Sequence, residues 1–148
     1  MSDEQRREVF RRQREFDDRF ALVLDVTPGA LWERCQVQQV MREKIRATLG
    51  DEGYAAWLRA EDPSYAAMRE LALQEGRPAA AVGALWRIKD EWTLRKLEIG
   101  AQAGLTTEQR AAMLTALGEQ TRSRVTALIG PHAMVPGSAA LGWLPVVK

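Results

Sequence analysis

Gly104-Leu105-Thr106-Thr107-Glu108-Gln109-Arg110, the stretch GLTTEQR, decides how the second half of the chain folds. Thr106 and Gln109 have the spacing of a capping box: the Thr hydroxyl accepts from the backbone N–H three residues on, and the Gln side chain returns to the Thr N–H. Gly104 can close a preceding helix in a left-handed conformation. Leu105 stands before the cap, where an apolar residue can pack back onto the first turn. The stretch therefore reads as a tight junction between two antiparallel helices.

On either side of it no proline interrupts the chain between Pro78 and Pro131. Leu85, Ile88, Trp92 and Ile99 mark one face of the helix before the junction. Met113, Leu114, Leu117, Val125 and Leu128 mark the stripe of the helix after it. Residues 78–130 are thus expected to form a long helical hairpin, its first helix about 27 residues and about 40 Å long. Trp86 and Trp92 fall about 120° apart on that helix, which implies apolar contacts on more than one side. Such a helix is either central in the fold or shared with a partner.

Working back towards the N-terminus, Val9, Gln13, Phe16, Phe20 and Val23 recur at helical spacing, so residues 1–25 read as an amphipathic helix. Residues 26–75 read as further helices. Thr27 can cap the first, with Pro28 in its first turn, where a missing N–H costs nothing. Leu31, Cys35, Gln38, Ile45 and Leu49 carry a seam to Gly50, a natural helix stop. Asp51 begins a shorter segment bearing Tyr54, Trp57 and Leu58. Pro63 opens another, with Tyr65, Met68, Leu71 and Ala72 on one face. Residues 131–148 are an irregular tail rich in proline and glycine whose apolar content suggests that it packs across the bundle. No stretch alternates with the period of a strand. The expectation is a single all-α domain, 1–148, of five to six helices.

A faint internal repeat runs through this order. A Thr-led helix start, a long helix, a Leu-Gly or Ile-Gly stop and a Trp-Leu pair occur twice, aligning Gly50 with Gly130 and Trp57-Leu58 with Trp143-Leu144.

Composition excludes several chemistries. The formal charge of +1 provides no global field towards nucleic acid or an anionic membrane. The arginine-rich start looks like a nucleic-acid arm, but Arg6, Arg7, Arg11, Arg12, Arg14 and Arg19 are balanced by Asp3, Glu4, Glu8, Glu15, Asp17 and Asp18. That region reads as a solvated face with i, i+4 pairs. No apolar run approaches a bilayer span. The segment MSDEQRREVFRRQR also lacks the apolar stretch of a secretory signal, which by itself points to the cytoplasm. One His and one Cys, far apart, give no metal-ligand spacing, so no metal or cofactor is expected. Cys35, on an apolar stripe, reads as a buried inert thiol. No nucleophile elbow or phosphate-cradling glycine loop occurs, and no catalytic residue is assigned.

Leu105, Thr106 and Gln109 also match the LTxxQ motif, and in this the chain resembles the periplasmic Spy/CpxP family. The resemblance implies an exported, stress-related chaperone or sensor accessory that holds partners on a concave surface. The family carries the motif twice; the corresponding first copy, Val26-Thr27-Pro28-Gly29-Ala30, lacks the Gln. A broader resemblance rests on REFDDRF at 14–20, LGDEGYAAWLRAEDPSY at 49–65, LTTEQRAAM and the closing IGP…GWL. It is to uncharacterised exported helical proteins of Gram-negative bacteria, and it implies export and helical architecture but no activity. The functional expectation is a non-enzymatic interaction domain with a protein partner or a second copy. Leu105, Thr106, Gln109, Trp86, Trp92 and Trp143 are the candidate contact residues. The rival expectation is an inter-helix pocket for a small molecule around Tyr54, Tyr65, Gln38 and His132, and a third is a cytoplasmic subunit of a larger assembly.

Overall fold

A computed structural model describes residues 1–134 and 138–145. Five α-helices follow in order: α1 (Asp3–Phe20), α2 (Pro28–Glu61), α3 (Pro63–Gln74), α4 (Ala79–Ala101) and α5 (Thr107–Ile129), with a 3-10 turn at Pro131–Ala133. No strand occurs among the described residues. The chain is all-α.

α1 begins at a capping box of its own: Ser2 Oγ accepts from Gln5 N at 3.1 Å, and Gln5 Oε1 accepts from Ser2 N at 2.8 Å. The Gln5 amide also donates to the Thr48 carbonyl at 3.0 Å, tying this end of α1 to α2 just before Gly50. Val9, Phe16 and Phe20 face inward, while Arg11 and Arg12 bridge Glu8 and Glu15 on the outer face. The helix ends at Phe20, short of the expected residue 25, and Val23 is exposed rather than part of the seam. Locally, the Asp25 carboxylate accepts from Thr27 N at 2.8 Å, a side-chain-to-backbone bond that competes with helix continuation. Val23 and Val26 are β-branched and Thr27 precedes proline, which adds to the same effect.

α2 is one helix only by its ends. Gly50 sits at φ 70°, ψ 175°, a conformation essentially confined to glycine. Continued straight, Gln38 and Glu61 would lie about 35 Å apart, yet both line one cleft. Residues 51–61 therefore fold back along the first arm. Asp62 then caps α3, its Oδ1 accepting from Ser64 N at 2.9 Å, with Pro63 in the first turn.

α4 lies at the centre, touching α2, α3 and α5. Its buried set, Ala81, Val82, Leu85, Trp86, Ile88, Trp92 and Ile99, covers more than one face, so the central-helix alternative is the one realised. It spans 23 residues, with Pro78 as its cap. At the α4–α5 junction Thr106 Oγ1 accepts from Gln109 N at 3.1 Å and Gln109 Oε1 accepts from Thr106 N at 2.9 Å. Arg110 completes the joint, its guanidinium donating to the Ile99 and Gly100 carbonyls, both at 2.6 Å. These are carbonyls that the end of α4 leaves without helical partners.

The main core joins Leu58, Tyr65, Met68, Val82, Leu85 and Trp86 to Val125, Ile129 and, from the tail, Ala140, Leu141 and Leu144. The tail packs on its own chain: Arg122 donates to the Pro145 carbonyl, and Pro145 lies against Gly118 of α5. Gly130 (φ 92°, ψ 159°) shares the conformation of Gly50. After each of these two glycines the chain turns back and delivers a leucine, Leu58 or Leu144, to the same core.

Replacing Gly50 with Ala forces a side chain into that Gly-only conformation and is expected to cost about 1–3 kcal/mol. Gly83, inside α4 with open space around its missing Cβ, should gain up to about 1 kcal/mol as Ala. Urea unfolding of the two variants reads the opposite signs.

Candidate functional site

The polar groups that converge do so where α2, α3 and α4 meet. Trp86, Lys89 and Asp90 occupy neighbouring turns of α4 and so face the same side. Asp62 Oδ2 accepts from Trp86 Nε1 at 2.9 Å and from Lys89 Nζ at 3.2 Å, while Lys89 Nζ also donates to Ser64 Oγ. One turn along, Asp90 accepts from Arg42 at 2.7 Å and from Gln39 at 3.1 Å. The Arg42 guanidinium lies over the Trp86 ring, 5.0 Å from its centroid, and Tyr54 meets that indole edge-on at 6.3 Å.

Burial alone would raise the Asp62 pKa, but the hydrogen bonds from Ser64 and Trp86 and the charge of Lys89 outweigh it and hold the carboxyl at about 2. Burial pushes the Tyr54 phenol up to about 12. Burial also raises the Cys35 thiol, with Asp90 adding to the shift and Arg42 opposing it. The thiol is buried as expected and kept from its nucleophilic form. Ser64 beside Lys89 has the look of a serine–lysine pair. A base must accept the hydroxyl proton, whereas this ammonium donates to both Asp62 and Ser64. The arrangement holds helices together; it does not activate a nucleophile.

Beside this network lies a cleft of about 280 Å³, open to solvent, between α1 and the two arms of α2. Gln13, Phe16, Gln38, Met41, Trp57 and Glu61 are among its walls, and Asp62 reaches its edge. At the end of the molecule where α1 meets α2, the connecting loop exposes several aliphatic side chains, with Asp25 among them. Leu22 is 93% exposed, Leu24 90% and Val26 77%, with Val23 and Leu31 partly so.

The residues singled out from the sequence do not form one site. Trp86 and Trp92 are 5% and 7% exposed, so neither indole is available to a partner; both are committed to the central helix's own neighbours. Trp143 is half-buried and donates to the Ala140 carbonyl at 2.8 Å. Thr106 and Gln109 are spent on the capping box, and Leu105 is half-buried beside it. Of the pocket residues, Gln38 lines the cleft, Tyr54 stacks on Trp57 at 5.5 Å, Tyr65 is in the core and His132 is exposed on the 3-10 turn. They do not converge.

Sequence reasoning passed over Asp62, Lys89, Arg42 and Asp90, whose pairings span 24 to 51 positions. It also passed over Leu22 and Leu24, which had been counted into an amphipathic helix. The signal for the loop was present, because DVTP combines an Asx residue, a β-branched residue and a proline. No group of metal-ligating side chains occurs among the described residues, and no helix there is long and apolar enough to cross a membrane. No family model, curated protein or solved structure matches the chain.

Asp62 stabilises the fold through a depressed pKa. Its contribution is fully present above the ordinary aspartate value of 3.8 and is lost as pH falls through about 2. Asp62→Asn keeps a competent helix cap but removes the charge. It should cost about 1–2 kcal/mol at neutral pH, between the exposed and buried limits for an ion pair. Thermal melts of the two proteins should converge as the pH approaches 2.

Proposed function

We propose that this chain is a non-enzymatic helical module that holds other polypeptides through the apolar loop between α1 and α2. The observation that carries the reading is the high exposure of Leu22, Leu24 and Val26, alternate residues of one loop. Single exposed aliphatic residues are ordinary on a protein surface, but a contiguous set marks a contact site. The polar network is compatible with it, since its charges join helices and Lys89 donates to Ser64 and Asp62. The loop is seated on a rigid base: α1 is fixed to α2 by Arg19–Glu33 at 2.9 Å and by Arg34 over the Phe16 and Phe20 rings. A chaperone-like or accessory role in an exported setting, which the LTxxQ resemblance implies, fits this reading. It would place client contact on the loop rather than on Thr106 and Gln109.

The test is suppression of aggregation. Chemically reduced lysozyme serves as the unfolding client and light scattering as the readout. The wild-type chain should slow the rise in scattering at near-stoichiometric ratios. The double variant Leu22→Glu, Leu24→Glu should lose most of that effect while its unfolding midpoint stays within about 0.5 kcal/mol of wild type, as for other surface changes. Equal protection by the variant, or none by the wild type, rejects the loop as the holding surface.

A further inference from the structure

The cleft between α1 and the folded-back α2 carries charges that nothing in the fold uses. Four ionised side chains line it: Asp17, Arg42, Glu61 and Asp62. Two are already neutralised within the chain, Arg42 by Asp90 and Asp62 by Lys89. Asp17 and Glu61 have no cation partner among the described residues. Glu61 has one contact, from the Gln13 amide at 3.3 Å, and a neutral amide leaves its charge in place.

The two free carboxylates belong to different walls, Asp17 on α1 and Glu61 on the returning arm of α2. The same lining includes apolar side chains, Phe16, Met41, Trp57 and Leu58, and two amides, Gln13 and Gln38, that supply further acceptors. A concave site with low-dielectric walls concentrates the field of its charges, and aromatic carbon is itself favourable to cations. The volume of about 280 Å³ is near the lower end for small-molecule sites, large enough for a short aliphatic chain and too small for a nucleotide.

We propose that this cleft binds a short aliphatic dication, a diamine or guanidino-amine, with one cationic end at Asp17, the other at Glu61 and the methylene chain along Phe16, Met41 and Trp57. The site is independent of the apolar loop, which lies beyond the end of α1. A free metabolite and the side chain of a bound polypeptide can both offer the cationic end. A free diamine engages both carboxylates, whereas a lysine or arginine side chain engages one and leaves its backbone outside.

The test is titration of the full chain with cadaverine and agmatine, followed by NMR at the Trp57 indole N–H and the Met41 methyl group. Trp57→Phe and Met41→Leu assign the two signals. 1,5-Pentanediol serves as the neutral analogue, and blocked lysine and arginine amides represent the peptide source. Both cations are expected to give saturable shifts at the two probes that weaken with added salt, and pentanediol none. Asp17→Asn and Glu61→Gln should each weaken binding about two- to fivefold, the range for a partly screened ion pair. Glu52→Gln, at an exposed carboxylate outside the cleft, should leave it unchanged. Tighter binding of the diamines than of the blocked amides supports the two-ended mode; equal binding overturns it, because a single cationic end would then suffice. Both carboxylates are exposed, so the variants should keep the wild-type unfolding midpoint. The proposal is overturned if no saturable shift occurs at millimolar diamine, if pentanediol shifts the same signals equally, or if the folded Asp17→Asn, Glu61→Gln double variant binds as well as wild type.

Discussion

One backbone conformation organises this molecule. At Gly50 the chain takes up a φ and ψ that a Cβ would forbid, and α2 becomes two antiparallel arms instead of a rod. The returning arm delivers Leu58 to the core and sets Tyr54 edge-on against Trp86, with Trp57 stacked on Tyr54. It ends at Asp62, in place to cap α3 and to receive Trp86 and Lys89. The cleft exists because the arm returns without closing completely on α1. Straightening this one residue would separate all of these partners by tens of ångströms, so the conformational constraint precedes the contacts it permits.

The second half of the chain repeats the device with less helix. α5 starts, like the first arm of α2, at a threonine cap, Thr27 and Thr106 each accepting from the N–H three residues on. It stops at a glycine in the same conformation, and the returning tail brings Leu144 to the core that Leu58 enters from the other side. α4 serves both units, which is why it carries buried residues on several faces. The capping of α5 is shared with its neighbour, since Arg110 closes the end of α4 from within α5's first turn. Gln5 does the same for α2 from within α1. In both places a side chain near a helix start satisfies carbonyls at the end of another, so the tightness of a turn is secured by a polar group outside it.

What was legible in the sequence was the local chemistry. The all-α class, the capping box at Thr106 and Gln109, the cap at Thr27 and the stops at Gly50 and Gly130 follow from residues a few positions apart, where backbone needs and side-chain reach are fixed by covalent geometry. The end of α1 was misplaced because Val23 continues the 3.6-residue period, whereas its N–H closes a turn on the Phe20 carbonyl and the helix has already stopped. Trp86 illustrates the opposite limit. Its spacing from Trp92 shows that the helix is contacted on several sides, but not that the contacts are Arg42, Tyr54 and Asp62 of the same chain. Those depend on the reversal at Gly50, and a reversal angle is not a property that periodicity records. The cleft was equally hidden, since Asp17 and Glu61 are unremarkable surface acids until the fold brings α1 and the returning arm to line one cleft.

The division of labour among the charges separates structure from function in this protein. An ion pair that is partly buried contributes little net stability once desolvation is counted, and its clearer effect is to penalise alternatives in which one partner is left alone. Arg42–Asp90 and Lys89–Asp62 connect α2 to α4 through two consecutive residues of α4, and sliding either helix by a turn would strand four charges beside apolar side chains. The network thus selects one register among several that the apolar surfaces alone would tolerate. Charges with that duty cannot also respond to a ligand without loosening the helices. The groups proposed for recognition lie outside the network: the exposed aliphatic loop, and the two carboxylates of the cleft, which have no cation partner among the described residues.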